Sequence, residues 1–323
     1  MPNYKKISKN IQRLTISNPR TANQIDWLNV NSAGKTEIEY LRKKFNFGLP
    51  HLMAASANAN SQRPMLSRTD SYVFMILHFP VLDPISGRIT PAEIDFFIGH
   101  GFLVTMPGKP FGALNDFFNL GKKDGNSLLA YEFESSAILL YEILKKMMDY
   151  SYAILDENSL AITQAEKIIL DENQKKSAGL ILNLRHNLIN LRKIMQNHKN
   201  IMKSVMAMES SIISAEYLKK YYGELIEQTK TFWETMENQR EMVETLYDSY
   251  QSLANHRLNN SMKMLTIFYV TFSSLSLIAA IFSVKVDDGM PFLNNPNGFW
   301  IILSIMSVAG LALVLLFKKK NWL

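Results

Sequence analysis

Small and hydroxyl-bearing side chains recur at regular spacing on an otherwise apolar segment near the C-terminus. Tyr269, Ser273, Ser276, Ala280 and Ser283 follow one another at steps of three or four residues. At about 100° per residue they share one helix face, and Met262 and Leu265 continue that face toward the N-terminus. Such a stripe supports two chemistries. Serines can cement helix packing through interhelical hydrogen bonds, or several copies of the stripe can line a water-filled pore. One protomer with two spans cannot enclose a pore, so the second reading requires a symmetric oligomer. The stretch SVKVDDGMPF, residues 283–292, follows at once. It sets Lys285, Asp287 and Asp288 at the turn between two apolar runs, where fixed charges would admit or repel an ion.

Residues 264–284 and 299–317 carry no charge, and each is about 20 residues long, the length that crosses a ~30 Å hydrocarbon core. Lys263 precedes the first span, and Lys318, Lys319 and Lys320 follow the second. Both ends of this hairpin are then inside and the loop 285–298 outside. Trp300 and Trp322 suit the two interfaces. The N-terminus has no apolar signal region, so the expected location is the inner (plasma) membrane, multi-pass, with both termini cytoplasmic. The formal net charge is +6, and the basic triplet beside an apolar run favours a membrane surface over nucleic acid. With no cysteine, disulfides, thiolate zinc sites and cysteine nucleophiles are excluded. Of six histidines, His186 and His198 stand too far apart for one metal ion and read as surface residues. Neither a phosphate-binding glycine loop nor a catalytic triad is visible. No enzyme and no organic cofactor are expected.

Upstream, the segments IDWLNV, YVFMILHFPVL, EIDFFIG and GFLVTMPG read as strands, rich in β-branched and aromatic residues. Residues 36–47 and 50–57 read as helices between them, and 105–112 as a linking turn. The expected organisation is an α/β domain over 1–126, a helical region over 127–262 and a membrane hairpin over 263–323. Helical pattern covers about 127–170 and 172–206. It resumes near 211 and enters the first span without a break. That stalk would be roughly 70 residues and ~105 Å long at 1.5 Å per residue. Such a rod needs partners along its side, and coiled-coil-like packing around a symmetry axis supplies them.

Several stretches together resemble the CorA family of divalent-metal transporters. NNSMKMLT (259–266) is similar to the family's start of the first span, and LSLIAAIF (275–282) to that span's outer half. The ending FKKKNWL matches the family's basic terminus. DSYQS (248–252) resembles an Asp-x-Tyr-x-Ser pattern on the lower stalk. SQRPMLSRTDSYVFMIL (61–77) resembles a Gln-Arg-Pro segment with its strand, and IDWLNV the first strand. The likeness covers nearly the whole chain in one order.

The resemblance implies a funnel-shaped homopentamer in the lipid bilayer, with the stalk continuing into the pore and the second spans outside. It places Met262, Leu265, Tyr269, Ser273, Ser276 and Ala280 on the pore, the face that periodicity picks out independently. It implies magnesium or another divalent cation as both transported and regulatory ion. Asp83 and Glu224 match acidic positions that hold regulatory metal between subunits, and Asp248 would form a lower acidic ring. The alternative for each is a solvated carboxylate.

The family's Gly-Met-Asn signature at the outer mouth is missing. An ungapped alignment puts Ser283, Val284 and Lys285 there. The rival placement uses Gly289-Met290-Pro291 and needs about six extra residues in the first span. Five copies of Lys285 at ~7 Å would cost a divalent cation roughly 6 kcal/mol in water, or about 2–3 after salt screening. Asp287 and Asp288 supply twice that number of opposite charges. The expected function is a CorA-type channel for divalent cations, magnesium by default. The alternatives are a member with altered selectivity for zinc, another cation or an anion, and a non-conducting membrane-anchored sensor or scaffold.

Overall fold

The computed structural model describes residues 3–17, 24–56, 62–123, 135–170, 174–207, 218–284, 291, 295–320 and 322. Strands β1 (Asn3–Lys6), β2 (Ile11–Ser17), β3 (Gln24–Val30), β4 (Met65–Arg68), β5 (Tyr72–Leu82), β6 (Ile89–Gly99) and β7 (Phe102–Pro107) form one sheet. Its order is β1-β2-β3-β7-β6-β5-β4. Neighbouring strands pair antiparallel, except that β3 runs parallel to β7, from Asp26 beside Phe102 to Asn29 beside Thr105. Helices α1 (Lys35–Phe45) and α2 (Leu49–Ala54) follow β3, and α3 (Gly112–Lys123) follows β7. Then come α4 (Ser136–Leu170), α5 (Gln174–Met195), α6 (His198–Met206), a π-helical turn (Leu218–Tyr222), α7 (Gly223–Ser283) and α8 (Gly298–Lys319).

The four strands expected from β-branched and aromatic runs are present. β1, β2 and β4 were not expected. NYKK, IQRLTIS and MLSR mix charged and apolar residues, as strands at or near a sheet edge do. A helix, α3, begins where only a linking turn was read. The stretch expected as one helix over 172–206 is broken at 196–197 into α5 and α6.

β5 is buried along nine consecutive residues because both faces of the sheet are covered. On one face Phe74, Ile76, Phe97, Val104 and Met106 pack with Leu41 of α1 and Leu52 of α2. On the other, α4 and α5 cover β5 and β6. Trp27 is fully buried, with its indole N–H donating to Thr105 Oγ1 at 3.2 Å and its ring edge-on to Phe118 of α3. His198 corrects the expectation of a surface histidine. It is 2% exposed, edge-on to Phe79, and burial pushes its pKa down to about 4. His186 is exposed as expected.

The chain divides into two compact units, Met1–Leu246 and Tyr247–Leu323. The first holds the sheet and the helices packed on it. The second holds the C-terminal part of α7 and all of α8. Both helices are long and apolar enough to cross a membrane. α7 is continuous over 61 residues, with no proline and with its only glycine, Gly223, at its first position.

Candidate functional site

Every residue of the expected stripe lies on α7, and every one is exposed: Met262, Leu265, Tyr269, Ser273, Ser276, Ala280 and Ser283. Tyr269 is 73% exposed and Leu265 65%. The covered residues of this part of α7 belong to another row, made of Ile267, Val270, Thr271, Ser274, Leu275, Ile278 and Phe282. At about 100° per residue this row stands roughly opposite the stripe. Its neighbour is α8: a Cβ added at Gly310 would meet the Leu275 methyls at 3.8 Å, an ordinary contact. The second span thus covers one side of the first and leaves the stripe bare. Val284 follows the helix and is also exposed. Lys285, Asp287 and Asp288 lie outside the described residues.

The three candidate carboxylates have different surroundings. Asp83 closes the turn between β5 and β6. Its carboxylate accepts the Ser86 hydroxyl at 2.7 Å and the Ile85 N–H at 2.9 Å, and its backbone oxygen accepts the Gly87 N–H at 2.8 Å. Gly87 takes φ +63°, which a residue without a Cβ adopts readily. The Ser86 hydroxyl and then the Ile85 N–H hold the Asp83 carboxyl below its ordinary range.

Glu224 lies in the first turn of α7, directly after the π-helical turn that leads into it. Tyr141 of α4 donates its hydroxyl to Glu224 at 2.6 Å, and Lys145 Nζ donates at 2.9 Å. These two bonds, the phenol's first, lower the Glu224 pKa. Burial, followed by the bond to Glu224, pushes the Tyr141 phenol up to about 12. The Lys145 ammonium is held above its ordinary range, chiefly by its bond to Glu224. Asp248 is exposed on α7, with no ion pair among the described residues.

Two of the three carboxylates therefore already serve partners in their own chain. Among the described residues no three histidine or carboxylate side chains converge to hold a metal ion. Sequence reasoning missed Tyr141 and Lys145. Their spacing of four on a helix is the one signal they gave, and their partner lies 79 or more residues away.

The sequence profile of the family described as CorA-like Mg2+ transporter protein matches residues 22–319. The cobalt/magnesium transport protein CorA of Thermotoga maritima is 24% identical over 298 residues, covering 92% of this chain and 83% of that protein. The protein of the same description from Methanocaldococcus jannaschii is 22% identical over 306 residues, covering 92% and 91%. The complete structure of the CorA magnesium transporter from M. jannaschii superposes with a TM-score of 0.81 at 21% identity, over 93% of this chain and 92% of that one.

Proposed function

We propose that this chain, which belongs to the family of CorA-like Mg2+ transporter proteins, moves a divalent cation along a path lined by the exposed face of α7. The family's members are transporters, not enzymes. One observation carries the reading: the small and hydroxyl-bearing stripe is the face of α7 opposite α8. A single copy leaves it open, so the path forms when several copies set their stripes around one axis, and a pentamer fits the family resemblance. The hairpin then spans the inner membrane with both termini cytoplasmic, by the placement of Lys263 and Lys318–Lys320.

Around such an axis Met262 and Leu265 form an apolar constriction, with Tyr269, Ser273, Ser276 and Ala280 above it. Asp248 offers a ring of negative charge that concentrates cations below. Ser283 and Val284, with Lys285 next in sequence, stand where the family carries Gly-Met-Asn. The mouth then selects by net charge, with Asp287 and Asp288 outweighing Lys285, and not by a ring of amide oxygens. Asp83 and Glu224 act as regulatory metal ligands only by leaving or sharing the partners they hold.

The test is flux into proteoliposomes of the purified protein, comparing magnesium, zinc, sodium and chloride, with Asp248→Ala alongside. Magnesium flux that falls in the variant is the expected result. Zinc or chloride passing in place of magnesium supports the second reading, an altered selectivity set at Ser283, Val284 and Lys285. No flux of any ion would remove the transport reading and leave a membrane-anchored sensor or scaffold.

A further inference from the structure

Asp95 stands on β6, between β5 and β7, with no partner for a charge. Cross-strand neighbours share a face, and those of Asp95 are Ile76 on β5 and Met106 on β7. Phe97, two residues further along β6, lies on the same face. These three side chains are fully buried in the core beneath α1 and α2. Asp95 itself is 2% exposed, and its Oδ1 is sealed from solvent with no hydrogen-bond partner among the described residues. On its fourth side, two residues back, is Glu93. That carboxylate is well served. Its Oε2 accepts the Gln62 N–H at 2.7 Å, and His78 Nε2 lies 3.1 Å away, where beside a carboxylate it donates. The two acids therefore stand in unequal surroundings. Donors stabilise a charge on Glu93. A second negative charge at Asp95 would meet the first one, three apolar side chains and no donor.

We propose that Asp95 carries a proton at neutral pH and that losing it opens this face of the sheet, so that the first unit loosens as pH rises. Burial, and then the Glu93 charge, holds the Asp95 carboxyl well above the ordinary aspartate range. A metal ion does not replace the proton. No three ligating side chains converge among the described residues, and Oδ1 is closed to any ligand unless the core first opens. The other titratable groups around this face are engaged elsewhere. From α2, His51 is bonded to the Tyr72 hydroxyl at 2.8 Å. From α1, Glu37 accepts the Gly34 N–H at 3.0 Å, Tyr40 and Lys44 couple to Arg13 and Asp26, and the remaining charges are exposed. Arg63, before β4, is exposed, and β7 carries no titratable side chain. His198 lies on the opposite face, edge-on to Phe79. The unfolded chain ionises Asp95 in the ordinary range, while the folded chain keeps the proton to higher pH. Between those two values the unfolded state binds fewer protons, so stability falls as pH rises. An ionised Asp95 reaches water only if this face parts from α1 and α2.

Thermal unfolding of the full chain in an ester-free detergent tests this, comparing wild type with Asp95→Asn, whose amide has the shape of the neutral acid. The variant's melting temperature relative to wild type should be higher by at least about 5 °C at about pH 8 than at about pH 5. Infrared difference spectra at neutral pH, wild type minus variant, should show the C=O stretch of one protonated carboxyl. If Asp95→Asn fails to fold, Asp95→Leu, matched to its apolar neighbours, replaces it in both measurements. A melting difference that is the same at both pH values, as a merely structural role would give, overturns the proposal. So does a difference spectrum without the protonated carboxyl.

Discussion

Aromatic side chains sit in both units, but under opposite conditions. In the first unit Phe74 is fully buried, stacked on His51 and tilted against Phe97, inside a core that its own chain completes. In the second, Phe268 is 71% exposed, and its nearest ring partner is Phe272 one turn further along the same helix. The first unit satisfies its apolar surface within one chain. The second covers only one side of α7 with α8 and leaves its other sides to lipid or to further copies. The lesson is that exposure means different things in the two units: in the first it marks a surface for water, in the second an unfinished arrangement.

Paired substitutions test that contrast most directly. Phe74→Ala should destabilise the first unit by about 3–5 kcal/mol, the range for truncating a buried aromatic. Phe268→Ala should change unfolding of the detergent-solubilised protomer by under about 1 kcal/mol. Thermal unfolding of the full chain reads both, and equal losses would break the comparison. Next in size, Ser276→Trp on the stripe should cut ion flux by about a hundredfold, while Leu311→Trp on the exposed side of α8 should leave it within about twofold. Flux lost only in the α8 variant would exchange the roles of the two helices.

The legibility of the two units differs for the same reason. The spans were read directly because length without charge is a local property of 264–284 and 299–317. The stripe was equally local, needing only the step of three or four residues. β5, β6 and β7 were read because nearly continuous apolar runs are what a sheet covered on both faces requires. β1 and β2 were not, since Lys5, Lys6, Gln12 and Arg13 belong to a hairpin at the end of the sheet. The pairing of Glu224 with Tyr141 and Lys145 was illegible, because no short-range pattern announces a contact made across two helices. His198 was misread because a lone histidine on a helix carries no mark of burial.

His198 supplies the third prediction. Its folded-state pKa lies below the unfolded value, so its contribution to stability is present above about pH 6.5 and is lost as pH falls toward 4. The loss should reach about 2 kcal/mol by pH 5. His198→Phe should flatten that acid limb, and an unchanged pH profile would assign the limb to the carboxylates. The smallest effect is expected at Glu224. Glu224→Gln should cost about 0.5–1 kcal/mol, since a part-exposed ion pair is screened by water. If added magnesium raises the unfolding temperature of the wild-type chain but not of this variant, Glu224 is a metal ligand as well as an internal partner.

Among the described residues, the seven strands come from residues 3–107, including the long-range parallel pair of β3 with β7. Every strand partner within this sheet is therefore made by Pro107, and α4 and α5, which cover one of its faces, follow before the spans. At roughly 5–20 residues per second, the ribosome needs roughly 8–30 s more to reach Met264 and the first span. During that interval the nascent chain can close its sheet in water, before any apolar span emerges to compete for chaperones or for the insertion machinery. The order of elements along the gene thus separates the two folding problems in time, and a truncated chain stopped just short of the spans should already display the paired sheet.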